Sequence, residues 1–216
     1  FIPEVWAVLR GGVPKLVLMA EFTAETEAEA LSMATEARDS LKNLHEESRV
    51  TQNADDAHKY WVIRRESFNM LRHHVKKLRT APFIDDFAVV PEKLTEFLPE
   101  LYSILDQYKL TYTIAGHIGD GNFHIIPLMD LHETHSHEVI RELSVKVYEL
   151  VHRFKGTITA EHNDGMIRTP FVKMQYGEDM YKLFEDVKKI WDPKGIFNPG
   201  KKVGGSWEYA MEHVVK

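Results

Sequence analysis

Cysteine is absent from all 216 residues, which excludes disulfides, thiolate nucleophiles, iron–sulfur ligation and cysteine-type zinc sites. Any metal chemistry must use His, Asp and Glu, and twelve histidines are available. Long apolar runs are missing too. Leu16–Ala20 is typical of the longest and falls far short of the roughly 18 residues that span a bilayer. There is no excess of positive charge: 27 Lys and Arg stand against 33 Asp and Glu, a net −6, and the basic residues are scattered. A dense basic footprint is lacking, so nucleic acid is not expected as a partner. The sequence has no P-loop and no G-x-S-x-G elbow. Gly116, Gly119 and Gly121 are spaced G-x-x-G-x-G before a strand, which is not a dinucleotide fingerprint. What is present, 44% apolar and 28% charged residues, is the composition of an ordinary globular chain of one large or two small domains. The opening Phe1-Ile2-Pro3-Glu4 has neither an initiator Met nor a signal-peptide pattern. The chain is expected to be part of something longer and cytoplasmic, with peripheral attachment to the inner face of a membrane compatible with it.

Leu16–Phe22 reads as a short buried strand, followed from Thr23 by an Ala/Glu-rich helix carrying Leu31, Ala34, Leu41 and Leu44 at helical spacing. A second helix, about 57–79, aligns Trp61, Phe68, Leu71, Val75 and Leu78 on one stripe, with Arg64 on the same stripe. A guanidinium on an apolar face needs a partner. Beyond it the pattern is strand 84–90, helix 94–105, strands 111–117 and 123–129, a helix running to Gly156 and strand 157–160. This β-α-β-β-α-β order predicts an α+β fold, a ferredoxin-like antiparallel sheet with helices packed on one face. Glu178–Trp191 adds an amphipathic helix, and the Pro/Gly-rich tail through Gly205 is expected to be irregular.

The segment Gly116-His117-Ile118-Gly119-Asp120-Gly121-Asn122-Phe123-His124 joins two strands through Asp-Gly, the dipeptide of a two-residue type I′ hairpin. That turn pairs His117 with His124 on one face, with Cβ atoms about 4.5–5.5 Å apart, close enough to share a metal ion. Equally, the histidines could be surface residues of a simple hairpin. After strand 157–160 comes Glu161-His162-Asn163-Asp164-Gly165, where Glu161 can serve as a carboxylate ligand and His162 as a base. A glycine-terminated turn whose acids cap the next segment is the plainer alternative. His132, His135 and His137 lie at the start of a helix among Glu133 and Glu138, and a solvated helix end accounts for them.

Three stretches in order carry a resemblance: Tyr112 to His124, then Ala160 to Gly165 with Arg168, then Asp192-Pro193-Lys194-Gly195-Ile196-Phe197-Asn198-Pro199-Gly200-Lys201. Together they resemble the C-terminal domain of FAD-linked oxidases, the group containing D-lactate dehydrogenase, the glycolate oxidase flavin subunit and D-2-hydroxyglutarate dehydrogenase, within the vanillyl-alcohol oxidase superfamily. The resemblance implies a cap or substrate domain over residues 1–190. It implies that the tail 191–216 returns to an FAD-binding domain, which lies N-terminal in the family and has no counterpart in this chain. Such a chain alone is expected to be inactive and to hold flavin weakly or not at all. By resemblance, His117, His124 and Glu161 are ligands of a divalent metal such as zinc, and His162 is the base beside a 2-hydroxy-acid substrate. Arg64 clamps the substrate carboxylate, and Asn198 lies at the return to the flavin. The 2-hydroxyglutarate branch binds a second carboxylate with a lysine and has a threonine four residues after the clamp arginine, at positions aligned here with Ile84 and Phe68, so a monocarboxylate such as lactate or glycolate is expected. A Gly after Glu-His in the family is Asn163 here. Two further readings stand beside this one: a metal-dependent hydrolase using His117, His124 and Glu161, and a non-enzymatic ferredoxin-like binding module. A homodimer is compatible with either domain reading, and the sequence does not name the electron acceptor.

Overall fold

The computed structural model describes residues 16–44, 48–74 and 78–214, and within these not the side chains of 63 and 67–74. The chain divides into two compact units, Phe1–Phe68 and Asn69–Lys216.

The first unit contains helix α1 (Glu27–Ser40) and most of α2 (Ala54–His74). Thr26 caps α1, its hydroxyl accepting from the Glu29 N–H at 3.3 Å, so the helix starts three residues later than Thr23 suggests. Leu16–Phe22 forms no strand. Its backbone meets no partner strand among the described residues, and apolar composition cannot make a strand without one. Asp56 is nearly buried and receives a two-pronged bond from Arg49 at 2.8 and 2.9 Å. Arg64 is exposed on α2 with its guanidinium 5.7 Å from the Trp61 ring centroid. Phe68 and Leu71 of the expected stripe have side chains outside the described ones, and Val75 lies outside the described residues.

The second unit is an antiparallel sheet with helices. Its elements are β1 (Arg79–Thr80), β2 (Ile84–Ala88), α3 (Leu94–Leu105), β3 (Thr111–His117), β4 (Asn122–Met129), α4 (Thr134–Arg153), α5 (Val172–Trp191) and α6 (Trp207–Glu212). Strand β4 is central, paired along one edge with β3 and along the other with β1 and β2. Thr157 bridges Ala88 on the far side of β2, so the order across the sheet is the 157 segment, β2, β4, β3. That is the ferredoxin-like order expected from the β-α-β-β-α-β pattern. Alternation along β4, and a bulge between Ile84 and Phe87 in β2, point Ile84, Phe87, Phe123 and Ile125 to one face. There they meet Phe97, Leu101 and Leu105 of α3 and Leu143, Val147 and Val151 of α4. Each such side chain contributes about 1.5–3 kcal/mol by leaving water. The other face of the sheet carries His117, His124 and Asp85.

The last strand is thinner than the sequence suggests: residues 157–160 make one bridge to β2 and then leave it. Ala160 still donates to the Asp86 carbonyl at 2.8 Å, but the N–H groups of Glu161 and His162 turn to a side chain, the Asp86 carboxylate, which the Ala160 N–H also reaches. Helix α5 starts before Glu178, at Val172, and is kinked at Gly177, which takes a left-handed φ of 80°. The short α6 was not foreseen; Ser206 caps it by accepting from the Tyr209 N–H at 3.2 Å.

Asp192 ties the tail down. Its carboxylate accepts from Lys188 Nζ at 2.6 Å and from the N–H groups of Ile196 and Phe197 at 3.0 and 2.9 Å. The Lys188 bond, opposed by burial and aided by the two N–H groups, holds its pKa down from 3.8 to about 2. A pKa lower in the folded state means that the stabilisation is complete above the unfolded value of 3.8 and disappears as pH falls through about 2. The protection of the Ile196 and Phe197 amides, measured against their unfolded exchange rates at each pH, should therefore fall over that acid range, and Asp192→Asn should remove that fall.

Candidate metal site

The hairpin that carries two of the histidines differs from the expected one. The register pairs His117 with Asn122 and Ala115 with His124, leaving residues 118–121 as the loop. A type I′ turn needs left-handed backbone at both central residues. Here Ile118–Asp120 form a right-handed 3₁₀ turn, and only Gly121 is left-handed, at φ 64°. Gly121 also sits against the end of β2. Its carbonyl accepts from the Val89 N–H at 3.0 Å, and a Cβ there would come within 1.7 Å of the Val89 oxygen. The shift of two residues keeps both histidines on one face, as diagonal rather than direct neighbours. Their ring centroids are 6.0 Å apart.

Asp85 lies directly across from His124 on β2, and Asp86 next to it is a β-bulge with φ 66°. Strict alternation would send Asp86 into the apolar core. The bulge instead turns its fully buried carboxylate toward residues 159–162. It accepts from the Thr159 hydroxyl at 2.9 Å and from the N–H groups of Ala160, Glu161 and His162 at 3.1, 3.1 and 2.8 Å. Burial raises its pKa, but the His162, Glu161, Thr159 and Ala160 donors outweigh this and hold it below the ordinary carboxylate value. Arg168 completes the support: it donates to the carbonyls of Asp85 and Asn163 and lies 3.8 Å from the Asp86 carboxylate. Asn163 stands at φ 65°, a left-handed position that asparagine tolerates, which explains how it can replace glycine.

This scaffold delivers Glu161 and His162 to the histidine face. Glu161 Oε1 lies 3.0 Å from His124 Nε2, 3.5 Å from His117 Nε2 and 3.6 Å from His162 Nε2. Three imidazoles thus converge on one carboxylate oxygen. His124 is the sheltered member at 13% side-chain exposure, while His117 and His162 are about half exposed, at 47% and 56%. Asp85 Oδ1 sits 2.9 Å from His124 Nδ1, and this bond, opposed by burial and aided by the charges of Asp85, Glu161 and Asp86, raises the His124 pKa.

Ligand atoms of Asp86, His124, Glu161 and His162 lie within 4.8 Å of one another. Asp86 is already saturated by backbone donors, which removes it from the usable set. The donors that remain, imidazole nitrogen and carboxylate oxygen, fit a borderline divalent cation such as zinc. Of the expected residues, His124, Glu161 and His162 belong to this group, whereas His117, expected as a ligand, is not part of it and meets the cluster through its 3.5 Å approach to Glu161 Oε1. Among the described contacts none joins Asn198 to the cluster. Arg64 belongs to the first unit, and Asn198 is an exposed, left-handed residue of the tail turn, at φ 44°. Asp85, Asp86 and Arg168 were not assigned from sequence. The available signal was the pair of adjacent acids inside the apolar stretch Phe83-Ile84-Asp85-Asp86-Phe87.

Comparison with known proteins adds an independent line. The family model described as FAD linked oxidases, C-terminal domain, matches residues 13–202. D-2-hydroxyglutarate dehydrogenase of Pseudomonas putida is 29% identical over 152 residues, 70% of this chain and 15% of that protein. Glycolate oxidase subunit GlcD of Bacillus subtilis is 24% identical over 152 residues, 70% of this chain and 32% of the relative. The Escherichia coli K12 GlcD is 28% identical over 155 residues, 72% of this chain and 30% of the relative. The chain thus spans from 15% to 32% of the length of these relatives. With the match covering most of its length, the chain belongs to the family of FAD linked oxidase C-terminal domains.

Proposed function

We propose that this chain is the substrate- and metal-binding domain of a flavin-dependent 2-hydroxy-acid dehydrogenase, which oxidises a 2-hydroxy acid to the 2-oxo acid. The observation that carries the reading is the convergence of three imidazoles on Glu161 Oε1 in a member of an FAD-linked family. His117, His124 and Glu161 would hold the cation, and His162 would act as the base. When bound, the cation would supply Lewis acidity to the substrate hydroxyl, and the flavin a hydride acceptor. The chain's own part is positioning and proton transfer. His162 Nε2 takes the hydroxyl proton, a role suited to imidazole near neutral pH and to its half-exposed place beside the cluster. Asp86 holds the backbone of residues 160–162 and with it the spacing between base and ligands.

The substrate is a small monocarboxylate of the lactate or glycolate type. Ile84, at the position of the second-carboxylate lysine, is fully buried in the core, and the neighbouring residue on the site face is the acid Asp85. Arg168 is committed to the Asp85 and Asn163 carbonyls. An added carboxylate would meet negative charge there.

The tail and α5 would contact the flavin-binding domain. Beyond the kink at Gly177, Met180, Leu183, Val187 and Ile190 recur at three- and four-residue spacing along α5 and are all exposed. Trp191 and Phe197 extend this apolar face, at 81% and 64% exposure. Asp179 and Asp186 run along one edge, so an antiparallel pairing of two copies would set acid against acid. A different domain suits this face better than a second copy.

The test is reduction of the flavin in the polypeptide that carries the FAD-binding domain. D-lactate or glycolate should bleach the flavin absorbance faster than D-2-hydroxyglutarate at equal concentration. The reverse order would reject the monocarboxylate assignment, and no bleaching by any of the three would reject the reaction class.

A further inference from the structure

We propose that Asp85 is a positioning residue that fixes the tautomer and orientation of His124, so that the Nε2 lone pair is presented to the metal site. The inference rests on the metal reading above and adds to it a residue outside the ligand set. A neutral imidazole carries one proton, and it can bind a cation through Nε2 only with that proton on Nδ1. Asp85 Oδ1 lies 2.9 Å from Nδ1, placed to accept that proton's hydrogen bond, and Nε2 lies 3.0 Å from Glu161 Oε1, the carboxylate with which it would share a cation. The contact is sheltered, with side-chain exposures of 16% for Asp85 and 13% for His124, so water competes poorly with it.

Asp85 is itself held. It lies directly opposite His124 in the β2–β4 ladder, and its carbonyl receives Arg168 Nη1 at 2.7 Å. The bulge at Asp86 allows two adjacent acids to leave the core face, one toward His124 and the other toward residues 159–162. Among the described contacts neither His117 nor His162 has a carboxylate on its Nδ1, and both are about half exposed. His124 is therefore the preoriented ligand around which the other donors gather. A carboxylate on the far nitrogen of a ligating imidazole also increases its basicity toward the metal, and losing such a partner typically costs 10–100-fold in affinity.

The experiment has two arms on the 216-residue chain. Calorimetric zinc titration compares wild type with Asp85→Asn, using Asp120→Asn in the exposed loop as a control for charge alone. Asp85→Asn should weaken zinc binding by about 10–100-fold, and Asp120→Asn should leave it within twofold. Nitrogen NMR of the metal-free, histidine-labelled protein at alkaline pH reads the tautomer directly. His124 should carry its proton on Nδ1 in wild type and lose that preference in Asp85→Asn, whose amide can donate as well as accept. Equal zinc affinity of wild type and Asp85→Asn, or a wild-type proton on Nε2, would overturn the proposal. If wild type takes up no zinc, the metal reading fails. The tautomer then decides alone whether Asp85 sets the ring.

Discussion

Replacing Asp86 with alanine should lower the unfolding free energy by about 3–5 kcal/mol, the range for removing one partner of a buried charged network. The loss has a definite origin. Asp86 is completely buried and collects the Thr159 hydroxyl and the N–H groups of Ala160, Glu161 and His162, with Arg168 alongside. Without the carboxylate the Thr159 hydroxyl and the N–H groups of Glu161 and His162 lose their acceptor away from water, the Ala160 N–H keeps only the carbonyl of residue 86, and the Arg168 guanidinium loses its counter-charge. Asp86 also occupies a left-handed backbone position, which asparagine tolerates better than alanine. Asp86→Asn should accordingly be less damaging, keeping one acceptor oxygen but turning an amide N–H toward donors. Urea unfolding followed by circular dichroism reads both as shifts of the midpoint. A change below about 1 kcal/mol for alanine would mean that residues 159–162 are held by something other than this carboxylate.

The second large effect separates base from ligand. In the flavin-bearing polypeptide, His162→Ala should reduce turnover by about 10²–10⁴-fold, the usual contribution of a general base, while metal content stays at the wild-type level. His117→Ala should lose metal and turnover together. The distances make this a demanding comparison, because His117 and His162 approach Glu161 Oε1 almost equally, at 3.5 and 3.6 Å. Parallel metal loss in the two variants would make His162 a ligand and leave the proton acceptor to be found elsewhere.

The α+β order and the approach of His117 to His124 were legible in the sequence because they depend on patterns of short range, whereas Glu161 and His162 were joined to them only through the family resemblance. Short apolar runs bounded by turn residues identify β2 and β4, helical spacing identifies α3 and α4, and an Asp-Gly turn between strands brings His117 near His124. The details that failed depend on partners distant in sequence. Leu16–Phe22 has a strand's composition but no ladder to join among the described residues, and the hairpin loop takes four residues because Gly121 must also fit against Val89. The strand at 157–160 was cut short by a side chain more than seventy residues earlier. Asp85 and Asp86 escaped notice for the same reason: their meaning comes from a bulge, and no local pattern announces which of two adjacent acids will turn inward.

The most direct measurement is the metal content of the purified chain after dialysis and re-addition of zinc, beside a His117→Ala/His124→Ala double variant. Binding that closes the site around Glu161 predicts about one ion per wild-type chain and none in the double variant. Equal zinc in both, or none in wild type, would contradict the assignment of these four side chains as a metal site.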